Sequence, residues 1–354
     1  MIDDPYERCT PTDELVAEIA AHYQLGEVAT WTELGGSWTT NIRIDTADEV
    51  LVARIHRHWT SAERLDALQA TRSAVHAAGV PTVLPIHDHQ GLTAATVGKD
   101  RLVELEPYVR WDTRMKTPEL FRIGFPVLGR IHDVLRTAPI PEAAASARYA
   151  NHVHSPMASE LTRLGADRIH WWQDYGLHRF ADDVVRHIDQ VTAREAELAD
   201  DQIVQLVHGD FWDNNVLFAG DRLAAVIDFD FMASRWRIDD LALTIYFWLL
   251  EPGRELPDEQ DQQQVRTFVD AYDSGTDRPL TEAERLALPL AIARQPAWSV
   301  GRWVLSLDDD QARSHARSAA AEFPVAAKVL ADLDGWQAAL TDWRAGENVR
   351  CPTR

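Results

Sequence analysis

The hydrophobic pattern of this 354-residue chain is mainly strand-like before a boundary near Tyr108 and mainly helical after it, and that contrast dictates an α+β fold in two parts. Before it, short runs rich in β-branched and aromatic residues are separated by turn signals. They fall roughly at 29–34, 38–45, 49–56, 83–88, 92–97 and 101–106, with 83–88 and 92–97 reading as a hairpin. Gly35-Gly36, Thr46-Ala47-Asp48, His89-Gln90-Gly91 and Gly98-Lys99-Asp100 supply the turns, and an antiparallel sheet is the natural result. One helix interrupts the strands. Thr60-Ser61-Ala62-Glu63 reads as its capping box, and Gly79 followed by Pro81 as its end.

From Thr117 onward the spacing becomes helical, with Pro118 in the first turn and Phe121, Phe125, Leu128, Ile131 and Leu135 on one face. Further helical stretches fall near 177–199, 239–250, 258–273, 281–307 and 323–344. Two short β runs, 215–218 and 223–228, sit among them, joined by Ala219-Gly220-Asp221. The length fits about two domains. The expected division is a small β-rich domain, residues 1–108, and a larger, mainly helical one, residues 109–354.

Composition excludes several classes. A formal net charge of −21 leaves no basic surface for neutralising phosphates, so no nucleic-acid partner is expected. The longest apolar run, 241–250, spans about half of a membrane helix, so no membrane partner is expected either. Met1-Ile2-Asp3-Asp4-Pro5 lacks the basic and apolar regions of a secretory signal. Cys9 and Cys351 offer neither a disulfide framework nor metal-ligand spacing. The expectation is a cytoplasmic protein, monomer or homodimer.

Chemistry is concentrated in Val207-His208-Gly209-Asp210-Phe211-Trp212-Asp213-Asn214-Asn215-Val216-Leu217-Phe218, followed by Val226-Ile227-Asp228-Phe229-Asp230. A loop presents a carboxylate, a carboxamide follows five positions on, and a second carboxylate ends the next strand. That order suits phosphoryl transfer, with Asp210 accepting a hydroxyl proton and Asn215 and Asp228 holding Mg²⁺ on the phosphates. One Asp in a turn is ordinary structure. Three such residues jointly spaced between apolar strands are not.

These segments resemble the catalytic and metal motifs of the aminoglycoside phosphotransferase and choline kinase group, small-molecule kinases with a protein-kinase-like two-lobe fold. The resemblance implies a base or hydroxyl-orienting role for Asp210 and Mg²⁺ binding by Asn215 and Asp228. It extends into the first domain. Gly35, Gly36 and Ser37, in Leu34-Gly35-Gly36-Ser37-Trp38-Thr39-Thr40-Asn41, are similar to the family's phosphate-covering loop, where glycines let backbone N–H groups approach oxygens. On the following strand Val52 and Arg54 share a face, which places Val52 at the adenine and Arg54 at the phosphates of ATP or GTP. Glu106, Tyr108 and Val109, in Leu105-Glu106-Pro107-Tyr108-Val109, resemble the hinge whose backbone pairs with the purine; Pro107 has no N–H, so Tyr108 or Val109 must donate.

Arg54 departs from the usual lysine, and the helical position expected to carry its glutamate falls near Gln69, which is neutral. Glu63, the nearest helical acid, reads as a cap. Asp240 reads as the N-cap of the next helix and also matches the family Asp that supports the catalytic loop. On the acceptor side, Trp212 is expected to face the substrate, and Asp213, Asp230 and Asp239 to offer carboxylates to an amine. An acidic chain focuses cations, which favours an amino-bearing acceptor such as an aminoglycoside, a basic peptide antibiotic or an amino sugar. Antibiotic modification, for resistance or self-protection, is the leading reading. The alternative is a primary-metabolite kinase of the homoserine, choline or amino-sugar type. A protein kinase would show three spaced glycines, His-Arg-Asp and an Ala-Pro-Glu segment, none of which is present. A ligand-binding pseudokinase is motivated by Arg54 but leaves the intact metal set unexplained.

Overall fold

A computed structural model of the chain describes residues 8–36, 39–98, 100–145, 153 and 155–341. Ser37 and Trp38 lie outside the described residues. The chain divides into two compact units, one of Met1–Thr113, Ala138–Ser146 and Leu217–Ile227, the other of Arg114–Thr137, Ala147–Val216 and Asp228–Arg354.

The first unit opens with α1 (Asp13–Tyr23), capped by the Thr12 hydroxyl, which accepts from the Leu15 N–H. Five antiparallel strands follow: β1 (Val28–Gly35), β2 (Thr40–Thr46), β3 (Val50–Ile55), β4 (Ala95–Val97) and β5 (Arg101–Pro107), in the order β1-β2-β3-β5-β4. Alternation works as period two requires. Ile42 and Ile44 of β2, Leu51, Ala53 and Ile55 of β3, and Val103 and Leu105 of β5 enter one core, against which α1 lays Val16, Ile19 and Tyr23. Helix α2 (Ala62–Ala77) ends before Gly79, whose φ of 82° closes the turn.

Two expectations for this unit are corrected. Val83–Asp88 is not a strand; Pro85 cannot donate to a ladder, and only a lone bond from the Ile86 N–H to the Leu105 carbonyl, 2.7 Å, links this segment to β5. β4 pairs with β5 instead. The cap of α2 is shifted by one residue: Ser61, not Thr60, accepts from the Arg64 N–H, so Glu63 falls in the exposed first turn and makes no capping box.

The short β6 (Thr113–Arg114) and the strands β8 (Val216–Ala219) and β9 (Arg222–Val226) form a separate sheet in the order β6-β8-β9. Its hairpin is tied to the segment after α2 by the Val226 N–H on the Pro81 carbonyl, 2.8 Å, and by the Thr82 hydroxyl on the Val226 carbonyl, 2.9 Å.

The second unit is mainly helical: α3 (Pro118–Thr137), α4 (Ser155–His170), α5 (Tyr175–Ala196), α6 (Ile238–Leu249), α7 (Glu259–Asp273) and α8 (Glu282–Ala293). After α8 the expected single helix to Leu307 breaks into α9 (Pro296–Trp298), a π-turn at Ser299–Trp303 and α10 (Val304–Ser306). α11 (Asp309–Ala331) and α12 (Leu333–Thr341) complete it. The predicted face of α3 is the observed one. Phe121 stacks on Phe268 of α7 at 4.8 Å between ring centroids, and Trp248 of α6 meets Phe268 edge-on at 5.0 Å. A two-stranded antiparallel pair, β7 (Val204–Val207) and β10 (Ala233–Trp236), runs into the loop that carries Asp210. No helix among the described residues is long and apolar enough to cross a membrane.

Candidate active site

The site begins where β7 ends. Val207 pairs with Ala233 of β10, and the chain then turns through His208-Gly209-Asp210. Gly209 has φ of 81°, and a Cβ there would lie 2.1 Å from the Phe231 carbonyl oxygen, so only glycine admits this turn. Gly209→Ala is expected to destabilise the protein by on the order of 3 kcal/mol, from left-handed strain plus overpacking. The check is a lowered urea midpoint at unchanged slope; an unchanged midpoint would refute the close approach.

The turn is held from below by Asp240 in the first turn of α6. Its two carboxylate oxygens accept from the backbone N–H groups of His208 and Gly209, both at 2.9 Å. His132 of α3 adds its Nε2 at 3.1 Å, and the Tyr272 hydroxyl lies 2.9 Å from His132 Nδ1. A carboxylate only accepts, so the Nε2–H donates to it. This corrects the reading of Asp240 as an N-cap. Arg237 stands at that position, and Asp240 is fully buried under the loop. Thr244, one turn on, donates its hydroxyl to the Phe211 carbonyl. The Asp210 N–H donates to Nδ1 of His208 at 3.2 Å, and the His208 ring packs against Phe229 at 4.4 Å.

Asn215 closes the loop. Its Nδ2 donates to the Asp210 carbonyl at 2.8 Å and to the Asp210 carboxylate at 2.7 Å, while its own N–H reaches the Trp212 carbonyl at 3.0 Å. The structure therefore brings Asp210 and Asn215 into contact. Asp228, in the same unit, sits just past β9 with φ of 63°, a left-handed backbone that is uncommon outside glycine and marks a constrained position.

The candidate acceptor residues divide. Trp212 is half-buried, with its ring 4.6 Å from that of Phe247. Asp213 is half-buried too; burial pushes its carboxyl up, opposed by the Lys116 ammonium at 3.5 Å, which also binds Glu251 at 3.1 Å. Asp230 is partly exposed. Asp239 is not in an open loop, as the sequence suggested. It is 1% exposed, inside α6, and accepts from Arg294 at 2.7 Å, while Arg294 also binds Glu195 at 2.9 Å. An acceptor amine has no access to a carboxylate so enclosed.

Among the candidate nucleotide residues, Gly35 and Gly36 have φ of 84° and 113°. A Cβ on Gly36 would stand 2.8 Å from the Thr39 carbonyl, and the Asn41 carboxamide donates to the Gly35 carbonyl at 3.1 Å. Val52 and Arg54 share a face of β3, paired in register with Glu106 and Glu104 of β5. Arg54 is buried, with Nη1 3.4 Å from Glu104 and 3.6 Å from Glu106. Arg72 of α2 binds both acids, and Gln69 donates to Glu104 at 2.9 Å. Burial pushes Glu104 up, but Arg72, His56 and Arg54 outweigh it and hold the carboxyl well below the usual range. In Glu106 burial prevails and raises it. The Tyr108 N–H is spent on the Val50 carbonyl at 3.0 Å, which corrects its expected role as a donor and leaves Val109 as the candidate. The Tyr108 ring lies under the Arg43 guanidinium at 4.8 Å.

Sequence reasoning missed Glu104, Arg72 and His132. Each acts across long sequence separations, and the only local signal is a polar residue interrupting an apolar stripe.

A glycine-bound turn presenting Asp210 and Asn215 in one unit, and a glycine loop with a buried strand arginine in the other, mark a phosphotransferase of α+β, protein-kinase-like fold. The chain belongs to the phosphotransferase enzyme family, whose pattern matches residues 30–281. It is a small-molecule kinase with an alcohol group as acceptor. Curated relatives include the homoserine kinases of Rhodopseudomonas palustris strain BisA53, 23% identical over 282 residues and 78% of each chain, and of strain BisB18, 22% identical over 286 residues, 78% of this chain and 79% of that one. Among solved structures, a spectinomycin phosphotransferase in complex with ADP and spectinomycin superposes with a TM-score of 0.66 at 14% identity, covering 92% of this chain and 99% of that one. A choline/ethanolamine kinase family protein from Mesorhizobium loti gives 0.57 at 20% identity, covering 93% and 98%.

Proposed function

We propose that the chain transfers the γ-phosphoryl group of ATP or GTP to a hydroxyl of a small, amino-bearing acceptor, with Asp210 as the base or orienting group for that hydroxyl. The observation that carries this reading is the enforced geometry at Asp210, fixed by Gly209, Asp240 and the 2.7 Å contact from Asn215. Asn215 and Asp228 are the residues that would hold Mg²⁺. Both offer hard oxygens, and engaging Nδ2 of Asn215 on Asp210 leaves its Oδ1 for a cation that draws its remaining ligands from phosphates and water. Bound there, the ion would neutralise charge on the transferring phosphoryl group.

The nucleotide tasks fall to residues 1–108 and to Val109 just beyond them: Gly35 and Gly36 cover the phosphates, Arg54 binds them, Val52 meets the base, and the Val109 backbone pairs with it. Base, metal and acceptor tasks fall to residues 109–354. We assign the enzyme to the cytoplasm, as a monomer or homodimer.

The acceptor amine is read from Trp212 and Phe247 beside Asp213, since an aromatic face and a carboxylate together suit an ammonium group. Asp230 offers a second acid. Such an acceptor is either an antibiotic, modified for resistance or self-protection, or a primary metabolite. The homoserine kinase relatives, matched over most of both chains, favour an amino-acid alcohol of the homoserine type. The test is Mg²⁺-dependent nucleotide turnover with homoserine, choline, amino sugars, aminoglycosides and peptide antibiotics. An aminated acceptor is expected to be phosphorylated, and Asp213→Asn to raise its KM about tenfold, as loss of one charge-assisted contact does, with the nucleotide KM unchanged. Turnover confined to acceptors without an amine overturns this reading.

A further inference from the structure

Arg54 has no acid on the neighbouring helix. The position expected for one, Gln69, is neutral and donates to Glu104. What α2 contributes instead is a cation, Arg72, bound to both Glu104 and Glu106. The sheet supplies acids to Arg54: Glu106 lies 3.6 Å away, and Glu104 is its direct partner in the β3–β5 ladder, where opposing side chains start about 5 Å apart. Every group in the cluster is buried, Arg54 at 7% exposure and Glu104 at 0%. Two carboxylates balance two guanidiniums, the condition under which buried charge is tolerated.

We infer that Glu104 is the positioning residue of Arg54, performing from strand β5 the task that a helical glutamate performs in kinase-like folds. Four groups converge on its carboxylate. Arg54 and His56 meet Oε1 at 3.4 and 3.2 Å, and Gln69 and Arg72 meet Oε2. A carboxylate engaged on both oxygens cannot rotate, and it pins the guanidinium opposite. Because both residues lie on adjacent strands, the placement of Arg54 follows the sheet and not the tilt of α2. Arg72 then neutralises the acid pair.

This inference rests on the reading of Arg54 as the phosphate-binding residue, and the experiment separates the two. Glu104→Asp preserves the buried charge balance while shortening the anchor by one methylene. Glu104→Gln with Arg72→Gln removes the anchor as a charge-neutral pair. For each, and for Arg54→Gln, thermal midpoint, nucleotide KM, acceptor KM and kcat are measured. Glu104→Asp is expected to fold and to raise the nucleotide KM about tenfold, the scale for losing a support behind a functional group, with acceptor KM unchanged. Adding Arg54→Gln to it should cost little more than Arg54→Gln alone, because the two act as one unit. A nucleotide KM unchanged in both Glu104 variants but raised in Arg54→Gln overturns the positioning role and leaves the reading of Arg54 standing. A nucleotide KM unchanged in Arg54→Gln overturns both.

Discussion

Asp210→Asn is expected to leave the thermal midpoint and nucleotide KM within error of the original while lowering kcat by about a thousandfold, within the range that a positioned base contributes. The substitution is nearly isosteric, and the Asn215 carboxamide can still donate to the new amide oxygen, so the loop keeps its shape. What disappears is the acceptor for the hydroxyl proton. Steady-state kinetics with a phosphorylated acceptor, together with nucleotide titration, check it. Transfer at the original rate would remove Asp210 from the chemistry and leave only positioning and electrostatics to account for catalysis.

Asp240→Ala carries the largest expected cost in stability, about 3–5 kcal/mol. Three donors converge on that carboxylate: the amides of His208 and Gly209 and Nε2 of His132. Removing it strands all of them in a site that water does not reach. Urea denaturation measures the loss. Activity is expected to fall as well, since Asp210 is the next residue in the turn. A variant that unfolds within 1 kcal/mol of the original would mean that Phe231 and Thr244 hold the turn without help from the carboxylate.

The turn that joins Asp210 to Asn215 was legible because its structure is local. A tight turn, a five-residue return and a short hairpin are set by glycine, turn chemistry and alternation within about twenty residues. The strands β1, β2 and β3 and their antiparallel sense were legible for the same reason. Elements built by distant pairing were not. β7 and β10 are four residues each and become strands only by pairing with one another across 25 residues of intervening chain. Helix α4 buries Ser155, Ala158, Thr162, Gly165, Ala166 and Ile169, a face whose single large apolar residue leaves almost no hydrophobic period to detect. α1 escaped because its apolar face is only Val16, Ile19 and Tyr23 amid charges.

Asp239 and Asp240 show the limit most clearly. Helix-capping rules treat the pair as a loop residue and a cap, yet one is sealed against Arg294 and the other holds the turn that carries Asp210. Both roles depend on partners that no local rule can see.

The left-handed backbone at Asp228 also constrains how this lineage can change. At φ of 63° most side chains meet their own backbone, whereas glycine, asparagine and aspartate tolerate the conformation. Descendants that change this position while keeping a sound fold are therefore restricted to a very short alphabet. An Asn there would be the mark of a chain that has given up the carboxylate and kept the turn, and a branched residue the mark of one that has rebuilt it.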